Sequence, residues 1–363
     1  MPEVLTDAHQ RRFIFSRVVN TLVFVVVFVV MCALCETLFW FLTPDKPYYT
    51  TQARSYLKFN RLTGYDINDD GVYKRAYHFV DGSPQIHVTA TLKDGMRYTP
   101  TSKGNRNSFA VFFGDSFTFG EGVNDEETLP FYFGEYAPEY MPYNFGVPSG
   151  SVQNMYYKLL KNNVNNIVHE DSGLAFYFFL GFHTNRVVGG MPAFNKWADK
   201  TACYELIDDR ITYMGSFRKA HPYRSILYDF LYLSNTCRYT RFFLPLRHSE
   251  SDYEITARLL SESIRLFTQQ FPGGDFVILF WDPRVPYAPV KNRIEGVGVK
   301  TLLVREFLHG IDNPMKLEAD QILPDGHVTA DVYSSIAQGL VEYVNARSGE
   351  SPTPSGGTAA DPT

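Results

Sequence analysis

Short apolar runs separated by longer amphipathic stretches make up most of the chain after residue 108. The runs have the length and β-branched or aromatic content of strands that are buried on both faces of a parallel sheet. The stretches between them place apolar residues at helical spacing, so strands alternate with helices. This alternation predicts an α/β fold with a doubly wound parallel sheet of about five strands. The predicted strands are 109–113, 143–146, 173–180, 275–281 and 299–304, and the predicted helices are 126–136, 151–168, 251–271 and 329–346.

The N-terminal segment has a different pattern, because residues 18–35 include no charged side chain. As a helix this stretch would extend roughly 27 Å, which is close to the hydrocarbon thickness of a bilayer. Arg11, Arg12 and Arg17 precede it and Glu36 follows it. The positive-inside tendency then places residues 1–17 in the cytoplasm. We predict a signal-anchor helix over 18–41 in a single-pass membrane protein whose functional part is exported to the periplasm or another extracytoplasmic space.

A cleaved signal peptide is the alternative for this segment. Its apolar part is longer than that of a typical signal peptide, and Ala33-Leu34-Cys35 is a poor small-x-small cleavage site. The anchor is therefore the preferred interpretation, and export follows from either.

Composition divides the remaining chain into regions. Residues 46–107 are polar and rich in Tyr, Thr, Gly and Asp, and the alternation over 86–92 predicts a strand within a small β-rich lead-in. The main domain is expected over 108–346, with an irregular aromatic insertion or lid at 181–247. Residues 347–363 consist largely of Ser, Thr, Pro, Gly and Ala and are expected to be disordered.

The stretch FAVFFGDSFTFGEGV, residues 109–123, carries the main chemical signal. Its apolar first half predicts a strand that ends at Gly114 and leads directly to Ser116. Ligands of open α/β sheets bind at the carboxyl ends of the strands, which is where this serine is expected. Gly120 and Gly122 are expected to keep the following loop open for close approach of a substrate.

The run from Gly114 to Val123 resembles the first motif of the SGNH (GDSL-type) hydrolases. The resemblance implies an SGNH/flavodoxin-like three-layer sandwich. It also implies that Ser116 is the nucleophile of ester hydrolysis or acyl transfer. The nucleophile-elbow pattern G-x-S-x-G of α/β-hydrolases does not fit, because Phe117 and Thr118 follow the serine.

A serine nucleophile needs a base and a group that orients this base, and residues 323–329 (LPDGHVT) offer both. The loop resembles the closing motif of the same family, with an Asp-x-His spacing that is shorter than in many members. The resemblance implies that His327 accepts the Ser116 proton and that Asp325 orients the imidazole. A turn or capping residue is the structural alternative for Asp325, and a solvated loop histidine is the alternative for His327.

Donors to the oxyanion are the remaining part of such a site. The backbone N–H of Ser116 is one candidate. Gly146 matches the family's second motif, which implies a second donor. The third motif, usually Gly-x-Asn-Asp, is altered here to Gly-Phe-His-Thr-Asn at 181–185. His183 or Asn185 is then the expected third donor, unless the site works with two, and structural roles remain open for both.

Several classes of function are disfavoured. The net charge of -5 and the pI near 6.0 give no basic footprint for nucleic acid. The histidines show no zinc-site spacing, and no P-loop or dinucleotide fingerprint is present, so no cofactor or metal is expected. Cys203 and Cys237 could form a disulfide in an oxidising compartment or remain two free thiols.

Together these features predict a membrane-anchored, exported serine esterase or O-acyltransferase of the SGNH type. It would remove or transfer acetyl or acyl groups on a carbohydrate through a Ser-His-Asp triad and an acyl-enzyme. The expected partners are an acylated carbohydrate or other ester substrate, the membrane, and proteins of polysaccharide assembly. The alternatives are a non-catalytic glycan-binding or scaffold protein and a lipid esterase or thioesterase.

Overall fold

The computed structural model describes residues 2–43, 48–82, 85–101, 106–194, 196–281, 288–306, 308, 317 and 319–348. Most of the predicted tail, from 349 onward, lies outside the described residues. The strands of the described part are β1 (Tyr48–Gln52), β2 (Leu57–Asn60), β3 (Gly64–Ile67), β4 (Gly71–Phe79), β5 (Ile86–Lys93), β6 (Met96–Arg97), β7 (Ser108–Phe113), β8 (Tyr140–Asn144), β9 (Ser172–Phe179), β10 (Ala202–Ile207), β11 (Arg210–Ser216), β12 (Gly273–Phe280) and β13 (Lys300–Leu303).

Five of these strands form the predicted parallel sheet, in the order β8-β7-β9-β12-β13. Numbered among themselves along the chain, they run 2-1-3-4-5, which is the flavodoxin-like order of doubly wound sheets. Each corresponds to a predicted strand within a few residues. The fold is therefore α/β and doubly wound, as the alternating pattern predicts.

The lead-in extends this sheet. Strands β6, β5, β4 and β1 continue it antiparallel beyond β8, so that the whole sheet has nine strands. β6 pairs with β8 at Arg97–Asn144 and so covers the carboxyl end of an edge whose backbone groups would otherwise be unpaired there. The prediction of about five strands holds for the parallel part, and the lead-in supplies the other four.

Helices cover both faces of the parallel strands. One hydrophobic core contains side chains of helices within 152–160, 250–270 and 288–296, and a second core on the opposite face contains those of helices within 129–136 and 330–348. These are the three predicted layers. The helices are α1 (Pro2–Leu42), α2 (Ser116–Phe119), α3 (Leu129–Tyr136), α4 (Val152–Leu160), α5 (His183–Val187), α6 (Met191–Phe194), α7 (Phe217–Ala220), α8 (Pro222–Leu233), α9 (Asn235–Thr240), α10 (Glu250–Gln270), α11 (Ala288–Gly296) and α12 (Ala330–Ser348).

Two predicted helices are shorter than expected, for local reasons. The helix predicted over 126–136 begins with a 3₁₀ turn, Asp125–Glu127, and Thr128 then caps α3 by accepting from the Phe131 N–H. The helix predicted over 151–168 ends at Leu160, and Asn162 follows with a left-handed φ of 57°. A left-handed residue interrupts the right-handed helix, so the rest of that segment is a turn.

The N-terminal helix α1 includes a stretch, Arg12–Leu42, that is long and apolar enough to cross a membrane, and its most apolar window has a mean hydropathy of 2.8. No part of the most apolar window is buried against the rest of the protein. The end of α1 contacts α9, where the ring centroids of Phe39 and Tyr239 are 4.8 Å apart.

The region of the predicted insertion contains the two-stranded β10–β11 sheet and helices α5 to α9. It has a small core of its own, in which Phe194 packs edge-on against Tyr228. Cys203 and Cys237 lie in this region as free thiols, so the described structure has the second of the two alternatives left open for them.

Candidate active site

The loop after β7 presents Ser116 at the carboxyl edge of the parallel sheet. Asp115 is the N-cap of the short helix α2 and accepts a 3.0 Å hydrogen bond from the Phe117 N–H. This cap holds Ser116 at the first position of α2, where it is 6% exposed. The serine therefore lies at the position that the sequence predicts for it.

The closing loop brings Asp325 and His327 together. His327 Nδ1 lies 3.0 Å from Asp325 Oδ1, but the two atoms are not aligned as a hydrogen bond. The His327 backbone N–H donates to the same oxygen at 3.1 Å. Both side chains are mostly buried, at 15% and 12% exposure. The Asp-x-His spacing is thus long enough for the carboxylate to reach the imidazole.

The pair also shifts the charge states of both groups. Burial lowers the pKa of His327, but the adjacent Asp325 carboxylate, together with the negative charges of Glu121 and Asp115, outweighs it, and the pKa lies above its ordinary value. Burial raises the pKa of Asp325, but its bonds to His327 and Tyr77 outweigh this effect and the pKa is lowered. The Asp325 carboxylate thus stabilises the imidazolium that forms when the histidine accepts a proton.

The serine loop and the closing loop pack against each other. The Phe117 ring, next to Ser116, lies 5.2 Å from the His327 ring between centroids. Glu121 Oε2 lies 3.9 Å from His327 Nε2. A Cβ on Gly122 would come within 2.3 Å of Leu323 Cδ1. Residues that are some two hundred positions apart in the chain therefore meet at one edge of the sheet.

These contacts change the role expected for the loop glycines. Gly120 and Gly122 have left-handed φ values of 80° and 92°. A Cβ on Gly120 would clash with Thr128, and one on Gly122 would clash with Leu323. From the sequence, both glycines are expected to keep the loop open for a substrate. In the structure they are required by the backbone turn and by close packing within the protein.

The lead-in strand β4 contributes two polar side chains to this site. The Tyr77 hydroxyl donates a 2.7 Å hydrogen bond to Asp325 Oδ2. Arg75 forms a short ion pair with Glu121, the carboxylate beside His327. No local pattern on β4 could have indicated these contacts, since their partners lie in the serine loop and the closing loop.

A buried charge cluster lies directly behind the serine. Asp115 has no exposed surface, and Arg186 Nη1 donates to its Oδ2 at 2.7 Å. His183 Nε2 lies 3.3 Å from the same oxygen, while its Nδ1 is 3.0 Å from the Tyr177 hydroxyl. Burial raises the pKa of Asp115, but Arg186 and His183 outweigh it and hold that pKa well below its usual range.

His183 is therefore enclosed among polar and aromatic partners. It is completely buried, and burial outweighs the attraction of Asp115, so that its pKa is lowered. Its contact with Asp115 helps to hold that carboxylate where it caps the turn at Ser116. The proposal of His183 as an oxyanion donor would require it to leave this cluster.

Gly146 and Asn185 are the other two predicted donors to the oxyanion. Gly146 follows β8 and lies so close to α2 that a Cβ would be 2.2 Å from the Phe119 nitrogen. Its N–H donates to Asn144 Oδ1 at 3.1 Å. Asn185 lies on α5 with its side-chain oxygen against Gly190. The fold thus brings Gly146 to the serine turn. Asn185, in contrast, contacts Gly190 within the insertion.

The loop that follows Ser116 is held by a buried arginine. Arg97 on β6 is fully buried, and its Nη1 donates to the carbonyl oxygens of Phe119 and Gly120 at 2.9 and 2.6 Å. Nη2 donates to the Val123 carbonyl at 2.8 Å, and Nε donates to Asp125 Oδ1 at 3.0 Å. Each nitrogen of the guanidinium has an acceptor, so its burial is compensated.

A group of potential metal ligands lies away from the serine, in the insertion. Side-chain atoms of Cys203, Glu205 and His221 are all within 4.8 Å of one another, which is close enough to hold an ion. Burial raises the pKa of the Cys203 thiol to about 12, so the thiol is protonated at neutral pH. The sequence spacing of Cys203, Glu205 and His221 does not indicate a metal site. The turn into α7 and α8 brings His221 to the β10 strand.

Comparison with models of known protein families and with curated proteins finds no match. Solved structures of GDSL proteins are similar to this chain. A member of the lipolytic protein G-D-S-L family from Veillonella parvula is 14% identical, with 65% of this chain and 97% of that chain covered and a TM-score of 0.37. A GDSL-like lipase from Bacteroides thetaiotaomicron is 10% identical, with 68% and 93% covered and a TM-score of 0.33.

An acetyl xylan esterase from Butyrivibrio proteoclasticus is also similar, at 10% identity, with 69% of this chain and 66% of that chain covered and a TM-score of 0.38. Identities and scores this low carry no functional argument. The functional proposal below therefore depends on the motifs and the site geometry of this chain.

Proposed function

We propose that this chain is a membrane-anchored serine esterase or O-acyltransferase of the SGNH type, with Ser116, His327 and Asp325 as its triad. The observation that carries the proposal is the 3.0 Å approach of Asp325 Oδ1 to His327 Nδ1, on a loop that packs against the serine loop. A carboxylate at Nδ1 leaves Nε2 as the atom that exchanges protons with the nucleophile.

In this mechanism neutral His327 accepts the Ser116 hydroxyl proton while the serine oxygen attacks the ester carbonyl carbon. The tetrahedral intermediate collapses to an acyl-serine, and the imidazolium returns its proton to the departing alcohol. Asp325 stabilises the imidazolium in both steps. Water or an acceptor hydroxyl then attacks the acyl-serine, with His327 again accepting and returning a proton.

The oxyanion donors of this proposal are backbone groups. The Ser116 N–H is at the start of α2, and the Gly146 N–H is the second candidate. Because the Gly146 N–H donates to Asn144 in the described structure, its use requires that hydrogen bond to be exchanged for the oxyanion. Asn185 remains a candidate for a third donor and His183 a weaker one, given its burial.

The proposed substrate is an O-acylated carbohydrate on the exported side of a membrane. This part depends on the family resemblance of the motifs and on the apolar helix α1, which is long enough to span a bilayer. Hydrolase and transferase differ only in the acceptor that attacks the acyl-serine. An anchored transferase would act on polymer that is being assembled at the membrane, beside partner proteins of that assembly.

A fluorophosphonate probe tests the nucleophile. The full-length protein in detergent is expected to be labelled on Ser116, and Ser116→Ala is expected to abolish the label. Ser108→Ala, at the start of the strand that leads to Ser116, is the matched control and should label as the wild type does. Folded wild-type protein that takes up no label would contradict the proposal.

A second measurement separates the two reactions. Release of p-nitrophenol from p-nitrophenyl acetate is followed with and without an added oligosaccharide. A hydrolase releases acetate at a rate that the oligosaccharide does not change. A transferase gives an O-acetylated oligosaccharide, seen as a mass increase, and its turnover depends on that acceptor.

A non-catalytic glycan-binding or scaffold protein is the second candidate. Two observations favour it: His183 replaces the usual donor and is sealed in the Asp115 cluster, and the Gly146 N–H is already occupied. This candidate predicts no fluorophosphonate labelling of a folded protein that binds an acylated oligosaccharide, with binding retained in Ser116→Ala.

A further inference from the structure

Helix α8 in the insertion has two distinct faces. Ser225 and Tyr228 are buried, and the Tyr228 ring packs 5.4 Å from Phe194 within the small core of the insertion. The opposite side is apolar and exposed. We call this side the α8 face, and it consists of Tyr223, Ile226, Leu227, Phe230 and Leu233.

The α8 face is a continuous stripe. Its positions follow one another at spacings of three, one, three and three residues, which places them along one side of a helix. Ile226 is 65% exposed, Phe230 69% and Leu233 78%. A contiguous stripe of large apolar side chains marks an interaction surface, whereas single exposed apolar residues need no explanation.

The stripe lies next to the end of the apolar segment of α1. Glu36 is the first charged residue after the uncharged stretch 18–35, and its carboxylate accepts a 2.6 Å hydrogen bond from the Asn235 N–H. It also forms a short hydrogen bond with Ser234, the residue that directly follows α8. With the contact of Phe39 and Tyr239, these bonds join the insertion to α1 where a membrane span would leave the bilayer.

The charge of this segment is opposite to that of the whole chain. Between Phe217 and Arg247 there are six Lys or Arg residues and a single Asp, although the protein has a net charge of -5. Arg238, Arg241 and Arg247 are exposed. An exposed apolar helix face in a segment rich in exposed cations is typical of helices that lie in the surface of an anionic bilayer.

We propose that the α8 face rests on the membrane and inserts its apolar side chains at the headgroup boundary of an anionic lipid bilayer. The occupant is lipid because α1, if it spans, brings the bilayer to Glu36, and the bonds of Glu36 hold the end of α8 there. The inference depends on α1 spanning a membrane and is independent of catalysis. Two attachments would fix how the domain is oriented over the bilayer, whereas a single helix and linker would not.

The test uses the full chain in phospholipid vesicles of phosphatidylcholine with or without phosphatidylglycerol. A lipid-soluble photoactivated carbene probe labels protein segments that contact acyl chains, and mass spectrometry assigns the labelled peptides. Labelling of α1 is the internal reference for reconstitution. We expect label on the 222–233 peptide that rises several-fold when phosphatidylglycerol is present.

Two variants make the result specific. Ile226→Glu combined with Phe230→Glu should reduce labelling of the 222–233 peptide several-fold while α1 stays labelled. Since both side chains are exposed, the fold should survive the change, which thermal unfolding checks. Val297→Glu is the matched control, because Val297 is 65% exposed in the turn between α11 and β13. It should leave the labelling unchanged.

Label confined to α1, or label on 222–233 that phosphatidylglycerol does not change, overturns the proposal. Nanodiscs that hold one copy each separate lipid from a second copy of the chain. If the lipid label on the 222–233 peptide is seen in vesicles that hold many copies but is absent from single-copy discs, the α8 face depends on another copy of the chain. The proposal is then wrong. Esterase activity is not needed in any of these measurements, so a failure here is distinguishable from failure of the proposed reaction.

Discussion

Tyr77 donates a 2.7 Å hydrogen bond to Asp325 across 248 positions of the chain. The two residues belong to the antiparallel strand β4 and to the closing loop before α12. The carboxylate is thus held from two sides, by the Tyr77 hydroxyl at Oδ2 and by His327 at Oδ1. The lead-in is therefore part of the candidate site, because it orients the group that orients the proposed base.

Tyr77→Phe removes this hydrogen bond and leaves the ring in place. A hydrogen bond to a charged group contributes about 1.5–3 kcal/mol, so we expect kcat/KM to fall by about tenfold or more. The loss should appear in kcat, with KM little changed, because Tyr77 acts through Asp325 and not through the substrate. Steady-state hydrolysis of p-nitrophenyl acetate measures both constants.

The matched control is Tyr73→Phe on the same strand. Tyr73 is as buried as Tyr77, and its hydroxyl donates to the Asp69 carbonyl at 2.6 Å, away from the closing loop. This variant should lose a comparable amount of stability and keep its activity. Equal activity losses in the two variants would show that Tyr77 acts on stability alone.

Glu121 is expected to set the pH dependence of the proposed base. The pKa of His327 is raised, with Asp325 the larger favourable cause and Glu121 a further one. A base must be neutral, so activity should fall as the pH drops through this pKa, and the acid limb of kcat/KM should lie above pH 6.5. Glu121→Gln removes one negative charge from beside His327 Nε2. The acid limb should then move to lower pH.

Glu126→Gln controls for the loss of charge, since Glu126 is an exposed carboxylate on the same loop. Its pH profile should match that of the wild type. An acid limb that stays in place in Glu121→Gln would mean that His327 is not the titrating group or that the 3.9 Å contact has no electrostatic effect.

The pKa of His327 also bears on stability. A histidine whose pKa is raised by folding stabilises the folded state fully below its unfolded pKa of about 6.5, and this contribution is lost as the pH rises through the folded value. The Asp325–His327 pair should therefore stabilise the protein more at pH 6 than at pH 9. The thermal unfolding temperature of His327→Gln, relative to the wild type at both pH values, measures this difference.

Arg97 should be one of the most sensitive positions for stability. Replacing it by Met leaves Asp125 without its charged partner and leaves the carbonyl oxygens of Phe119, Gly120 and Val123 without a donor in a buried site. Breaking a buried pair in this way costs about 3–5 kcal/mol. Urea unfolding should show a loss of this size.

Arg265→Met is the control, because Arg265 makes a two-bond ion pair with Glu262 on α10 but is half exposed. Exposed pairs contribute about 0–1 kcal/mol, so this variant should be nearly as stable as the wild type. A loss for Arg97→Met as small as that of Arg265→Met would contradict the clamping role.

The parallel sheet and the serine loop could be predicted because their signals are local. A run such as FAVFF at 109–113 carries its own strand propensity and its own burial pattern, and GDS follows it directly. Asp325 and His327 are likewise close together in sequence, so their pairing could be inferred from one short segment. Helix α4 ends at Leu160 because a left-handed residue follows, and α3 begins at Leu129 because a cap precedes it. Hydrophobic periodicity shows neither feature.

The rest of the site depends on long-range pairing. Tyr77 reaches Asp325, and Arg75 reaches Glu121, only because β4 joins the main sheet through β5 and β6. Arg97 occurs in a short polar hairpin, where an arginine is normally a surface residue. Its complete burial follows from the fold of the serine loop around it. No pattern within the lead-in distinguishes these residues from ordinary polar positions of a half-exposed strand.

Gly122 of the serine loop packs against Leu323 of the closing loop, and its substitution tests whether this contact matters for activity. In Gly122→Ala the new Cβ would be 2.3 Å from Leu323 Cδ1, so Leu323 must move. The Leu323 N–H donates to the His327 carbonyl at 2.7 Å, so a movement that extends from the Leu323 side chain to its backbone should displace the imidazole. We expect about tenfold lower kcat/KM, because small misplacements of catalytic groups are costly.

Two further variants separate displacement of the closing loop from backbone strain. Gly95 also has a left-handed φ, of 72°, but has open space around it, so Gly95→Ala should destabilise the protein by about 1–2 kcal/mol without loss of activity. Adding Leu323→Ala to Gly122→Ala removes the clash but retains the strain, and it should restore most of the activity. Activity that stays low in this double variant, with the protein folded by circular dichroism, would show that Gly122 acts on the serine loop itself and not through Leu323.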